Sequence, residues 1–93
     1  VTRDELPWMP KAGIRSYVNG ELRQNSSTEL MMTKIDAAIH QLSQGMTLLA
    51  GTIIAMGTPS GVGMAFDPPR YLRPGDVVRC EVDGVGVLEN TVR

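Results

Sequence analysis

Ile14-Arg15-Ser16-Tyr17-Val18-Asn19-Gly20-Glu21-Leu22-Arg23-Gln24 is the stretch on which the fold turns. Residues 14–18 carry β-branched and aromatic side chains, and Asn-Gly then supplies two consecutive positions that tolerate positive φ, as a type I′ turn requires. The segment therefore reads as a β-hairpin returning through residues 21–24. A two-residue loop sets Val18 opposite Glu21 and Tyr17 opposite Leu22, and strict alternation from there puts Gln24 on the face of Tyr17 and Leu22.

The same period continues at the far end of the chain. Val78, Cys80 and Val82 alternate with Arg79, Glu81 and Asp83, which predicts a strand with one buried and one wet face. Asp83-Gly84 is a second hairpin signal, leading into a strand over residues 85–92. Between the hairpins, a polar stretch at 25–28 precedes the one convincing helix. Thr33 and Asp36 have the spacing of a capping box, and Ile35, Ala38, Ile39 and Leu42 form a single apolar stripe. Gly45 stands where a helix end takes a left-handed residue, and His40 and Gln41 fall on the opposite face. Two further segments echo each other: Leu48-Leu49-Ala50-Gly51-Thr52-Ile53-Ile54 and Leu72-Arg73-Pro74-Gly75-Asp76-Val77-Val78. Each reads as a tight turn feeding a strand, with Pro74-Gly75 suited to the centre of a type II turn. Residues 1–13, with Pro7, Pro10 and Gly13 around Trp8, form an irregular lead-in. The whole is an α+β arrangement, mostly antiparallel or mixed sheet with one main helix.

Composition narrows the function classes. Ninety-three residues allow one small domain, and the start at Val1 in place of Met reads as a processed product or a piece of a longer protein. Nine Lys and Arg against ten Asp and Glu, interspersed, leave no basic patch for nucleic acid. The apolar stretch at 48–56 is too short to cross a membrane and is broken by Gly51. A single cysteine, Cys80, forms no intrachain disulfide, which favours a reducing, cytoplasmic setting. It reads as a small core residue on its strand's apolar face.

The densest unusual segment is Met56-Gly57-Thr58-Pro59-Ser60-Gly61-Val62-Gly63, following an apolar strand at 52–56. Its three glycines let backbone approach a ligand closely, and the Thr58 hydroxyl with free backbone N–H groups suits an anionic oxygen. The competing reading is a glycine-rich turn that only reverses the chain. It is not a dinucleotide fingerprint, because Phe66 stands where the third glycine is due and Pro68-Pro69 forbids the helix. Nor is it a P-loop, since no lysine follows the glycines. Glu81-Val82-Asp83 places two carboxylates on one side of a strand, geometry that a hard cation could use, but a solvated face is the stronger reading. Asp4-Glu5 is weaker still, because extended neighbours point apart. His40 reads as a surface residue, and nothing assembles a catalytic group.

Taken in order, Val18-Asn19-Gly20-Glu21-Leu22-Arg23-Gln24, residues 28–31, Leu42-Ser43, Leu48 with Gly51, Gly57-Thr58-Pro59-Ser60-Gly61-Val62-Gly63, Leu72 with Pro74-Gly75-Asp76, and Gly86 with Leu88 and Asn90 resemble the fumarylacetoacetate hydrolase family over nearly the whole chain. The resemblance implies that residues 1–93 are the C-terminal portion of one catalytic domain, a mixed β-sandwich roll whose N-terminal portion is absent here. It implies a homodimeric enzyme that binds Mg²⁺ or Mn²⁺ and acts on a 2-oxo-acid, as an acylpyruvate-type hydrolase, a dienoate isomerase or an oxo-acid decarboxylase. The family's metal ligands, an E-x-E pair and a later Asp, have no match in this chain, nor does its catalytic lysine; both are expected upstream of Val1. No catalytic and no metal-binding residue is therefore assigned, and the chain alone is expected to be inactive. Thr58 matches the family threonine that contacts the substrate carboxylate, and Gly57 shapes the approach. Thr52 departs from the family's Asp after glycine, which the echo at Gly75-Asp76 retains and which is expected to brace its turn. The alternative to an enzyme part is a stand-alone, non-catalytic β module.

Overall fold

Asn19 and Gly20 both take positive φ, 51° and 80°, and reverse the chain between β1 (Gly13–Val18) and β2 (Glu21–Ser27). The computed structural model describes residues 1–6 and 10–93, so the Pro7-Trp8 part of the expected lead-in lies outside the described residues. Val18 faces Glu21 and Tyr17 faces Leu22, as the two-residue loop demands. The register then slips, because Ser16 faces Gln24 and Arg23 is left without a partner, a β-bulge. The extra residue overturns the expected placement of Gln24: it shares the face of Ser16, not that of Tyr17 and Leu22.

β3 (Val77–Val82) pairs antiparallel with β1 on its other edge, and β4 (Gly86–Thr91) pairs antiparallel with β3. The four strands lie in the order β2-β1-β3-β4. The turn into β3 closes with Asp76 N donating to Arg73 O at 3.0 Å while Gly75 holds a φ of 94°, the type II geometry read from Pro-Gly. Its echo closes in the same way, with Thr52 N donating to Leu49 O at 3.1 Å and Gly51 at a φ of 85°. After that turn the two segments diverge. Residues 52–56 pair with no strand among the described residues, and Ile53 is 93% exposed, so the expected buried strand there is an unpaired extended segment.

The helix, α1 (Ile35–Gly45), buries Ala38 and half-buries Ile35 and Leu42, but Ile39, the fourth residue of the expected stripe, is 37% exposed. Its N-cap is Lys34, not Thr33, and no side chain caps it; Asp36 accepts from the neighbouring Ala37 N–H instead. That carboxylate still sits in the first turn, where the helix dipole favours it. Gly45 is the last helical residue and not a left-handed cap: the chain leaves through an extended Met46, whose N–H bonds to Leu42 O at 3.1 Å. Among the described residues no helix is long and apolar enough to cross a membrane.

Ala12 and Ala38 are the buried apolar residues among those described, at 5% and 7% exposure. The accessible surface is 7394 Å², against roughly 5,300 Å² for a compact monomer of this mass. The radius of gyration is 15.5 Å, against about 12 Å for a free-standing domain of this length.

Candidate functional site

The glycine loop at 57–63 lies against the hairpin at its bulge. A Cβ on Gly61 would fall 2.0 Å from the Arg23 carbonyl oxygen, and one on Gly63 would fall 2.2 Å from that of Arg70. Each position therefore needs a residue without a side chain, and Gly61 also has a φ of 108°. Gly57 differs: its φ is 89°, yet a Cβ there would meet nothing within 4 Å. The backbone at 57 is open on that side, whereas the backbone at 61 is packed.

Thr58 follows this opening. Gln24 Nε2 donates to Thr58 Oγ1 at 2.7 Å and to the Pro59 carbonyl at 2.8 Å, and Ser16 Oγ donates to Gln24 Oε1 at 2.9 Å. Thr58 and Gly57 line a recess of about 290 Å³ with Ile14, Ser26, Ser27, Met31 and Met56 among its walls. Thr58 itself is exposed, so it does not end a buried strand as the sequence led one to expect. Ser16 and Gln24 were not singled out from the sequence as site residues. The signal that could have found them, Gln24 beside the Asn-Gly turn, pointed to the wrong face because the bulge is not visible in the residue pattern.

An ion pair clasps the segment after the loop to the hairpin. Arg70 grips Glu21 with both guanidinium nitrogens, at 2.7 and 2.8 Å. The Phe66 ring lies 5.4 Å from the guanidinium carbons of both Arg23 and Arg70. The Arg70 hydrogen bonds hold the Glu21 carboxyl below its usual range.

Glu81 and Asp83 are not free to serve a cation. Arg15 Nε lies 3.2 Å from Glu81, its Nη2 bonds Asp83, and Arg79 Nη2 adds a contact to Glu81 at 2.5 Å. The hydrogen bond from Arg15 keeps Asp83 below the ordinary carboxylate range. Glu81 is half-buried by these contacts, although alternation placed it on the wet face. Among the described residues no three His, Cys, Asp or Glu side chains come together, so the donor set does not fit a divalent ion. His40 is an exposed helix residue beside Gln44. Cys80 is exposed and not core: it lines a recess with Ser16, Val62 and Val78, on the sheet face that the loop covers only in part.

Known proteins share this fold. The family described as fumarylacetoacetate (FAA) hydrolase, C-terminal, matches residues 1–93. The chain is 44% identical to a fumarylacetoacetate hydrolase from Exiguobacterium antarcticum, with a TM-score of 0.94, covering 100% of this chain and 33% of that one. It is 40% identical to a 5-carboxymethyl-2-hydroxymuconate delta-isomerase from Mycobacterium smegmatis, with a TM-score of 0.75, covering 87% of this chain and 30% of that one. It is 34% identical to a maleylpyruvate hydrolase from Sphingobium sp. SYK-6 solved with manganese(II) and pyruvate, with a TM-score of 0.85, covering 98% and 32%. The four-stranded antiparallel sheet with one helix matches these structures. The chain spans only about a third of the length of the curated relatives it matches, 31% and 29% of two from Staphylococcus.

Proposed function

Because the chain belongs to the fumarylacetoacetate hydrolase C-terminal family, we propose that it is the C-terminal part of a metal-dependent enzyme acting on a 2-oxo-acid, and that its loop at 57–63 receives the substrate carboxylate. The observation that carries this reading is the Thr58 hydroxyl, fixed by Gln24 beside the open backbone of Gly57. A hydroxyl and backbone N–H groups offered together to an anionic oxygen make charge-assisted hydrogen bonds. The relative solved with manganese(II) and pyruvate, a 2-oxo-acid, supports the same ligand class.

A cation, Mg²⁺ or Mn²⁺, would be held in this reading by residues outside the chain, and when bound would supply Lewis-acid stabilisation of developing negative charge in hydrolysis, isomerisation or decarboxylation. The part played by this chain is binding and orientation. The complete protein is a cytoplasmic homodimer whose remaining portion of the catalytic domain covers the surface left open here. A self-contained, non-catalytic β module fits poorly with a chain that buries only Ala12 and Ala38 among its described apolar residues.

Thr58→Val in the full-length protein tests the loop. It removes the hydroxyl and keeps the β-branched shape, so pyruvate binding should weaken about ten- to hundredfold, the worth of a hydrogen bond to a charged group, with Mn²⁺ affinity unchanged. Pyruvate affinity equal to that of the unaltered protein, in a folded variant, would reduce the loop to a chain reversal.

A further inference from the structure

The Gln24 carboxamide is held at both ends, and this settles which way it points. The atom 2.8 Å from the Pro59 carbonyl oxygen must be a donor, because that oxygen only accepts; it is therefore the NH₂ nitrogen. The same nitrogen lies 2.7 Å from Thr58 Oγ1, so its second hydrogen goes there. The other end, Oε1, accepts from Ser16 Oγ at 2.9 Å. A hydroxyl oxygen that accepts from an amide N–H keeps its own proton for another partner.

We propose that Gln24 is a positioning residue, which with Ser16 fixes the Thr58 hydroxyl as a donor toward the substrate carboxylate. The proposal rests on the reading of Thr58 as the carboxylate contact. The relay needs the Arg23 bulge: without the extra residue, alternation would put Gln24 on the Tyr17 face, away from the loop. A hydroxyl free to rotate would spend part of its time presenting a lone pair to the carboxylate. The relay removes that repulsive orientation, and a hydroxyl polarised by an incoming N–H is also a better donor.

A double-variant cycle in the full-length protein tests this, with pyruvate affinity measured by calorimetry in the presence of Mn²⁺. Gln24→Met keeps the length of the side chain and removes both donors. It should weaken pyruvate binding by about three- to tenfold, the scale of one neutral hydrogen bond. In a Thr58→Val background the same change should cost almost nothing, because no hydroxyl is left to orient. Ser16→Ala, which leaves the loop contacts in place, should give a smaller loss of about twofold, and it serves as the readout should Gln24→Met fail to fold. If Thr58→Val weakens binding while Gln24→Met does not, or does so equally in both backgrounds, the relay is wrong and the loop reading stands. If Thr58→Val itself has no effect, the loop reading fails and takes the relay with it.

Discussion

Asn19 Nδ2 donates to Asp76 Oδ1 at 2.9 Å, joining two turns 57 residues apart. The Asn19 side-chain oxygen accepts from Val77 N at 2.9 Å, and its backbone N–H reaches Val77 O at 2.8 Å. Asp76 in turn accepts from Arg73 N at 2.8 Å, the brace expected of an aspartate after Pro-Gly. One residue thus supplies the positive φ that reverses β1 into β2 and the bonds that start β3 in register.

Asn19→Gly separates these two tasks. Glycine keeps the turn but loses both side-chain bonds, so the full-length protein should lose about 1–2 kcal/mol, read from urea unfolding. Asn19→Ala should cost more, by about another 1 kcal/mol, because alanine resists the left-handed conformation. Equal stabilities for the two variants would mean that the tie to Asp76, and not the turn, sets the cost.

Gly61→Ala and Gly57→Ala should part company. At Gly61 the added methyl meets the Arg23 backbone carbonyl at 2.0 Å, an atom that cannot swing aside, so the loop must leave the hairpin. The expected loss is above about 3 kcal/mol, accompanied by loss of the Gln24 contacts. At Gly57 the space is open and only the positive φ is strained, about 1 kcal/mol. Thermal unfolding of the two variants checks the order.

Three carboxylates share one response to acid. Glu21 is held below its ordinary pKa by hydrogen bonds from Arg70, Asp76 chiefly by Asn19 and then by Arg73 N, and Asp83 chiefly by Arg15. A lowered folded value means that the unfolded chain binds protons first. The stability these groups contribute is complete above the ordinary carboxylate range and is lost as pH falls through the lowered values. Unfolding free energy should therefore be insensitive to them near neutrality and decline below about pH 4. Arg70→Met should return Glu21 toward its ordinary value, visible in a side-chain NMR titration.

The chain expressed alone should bind Mn²⁺ only in the millimolar range, as scattered carboxylates do, because Arg15 and Arg79 occupy Glu81 and Asp83. It should also self-associate, since Ile53, Leu88 and Val87 present apolar surface and the outer strands β2 and β4 leave backbone edges uncovered. Calorimetry and sedimentation decide these; a saturable micromolar site or a monomer at high concentration contradicts the respective expectation.

The hairpin turn and its first two cross-strand pairs were legible because Asn-Gly leaves the backbone few choices, and the two twin turns were legible because Gly51 and Gly75 stand at positions requiring positive φ. The helix stripe was legible from spacing at Ile35, Ala38 and Leu42, but not at Ile39, which is left exposed. The Arg23 bulge was not: nothing in Leu22-Arg23-Gln24 marks one residue as surplus, since the slip is decided by what packs on the strand from elsewhere in the chain. Residues 52–56 have the composition of a buried strand, but composition does not supply the neighbour against which a strand would pair. The proposed site was only half legible. Thr58 and Gly57 stood out through their glycines, whereas Ser16 and Gln24 look like ordinary hairpin residues until the loop is folded across them.

The Arg23 bulge makes residues 16–24 and the glycine loop a single heritable module. Transplanting the loop into a related scaffold would transfer its glycines but not the amide that orients its hydroxyl, unless the hairpin travels with it. Deleting one residue between Gly20 and Gln24 would do the reverse, leaving the loop sequence intact while turning its support to the far side of the sheet. Chimeras of this fold are best cut outside both segments, ahead of Gly13 and beyond Arg70.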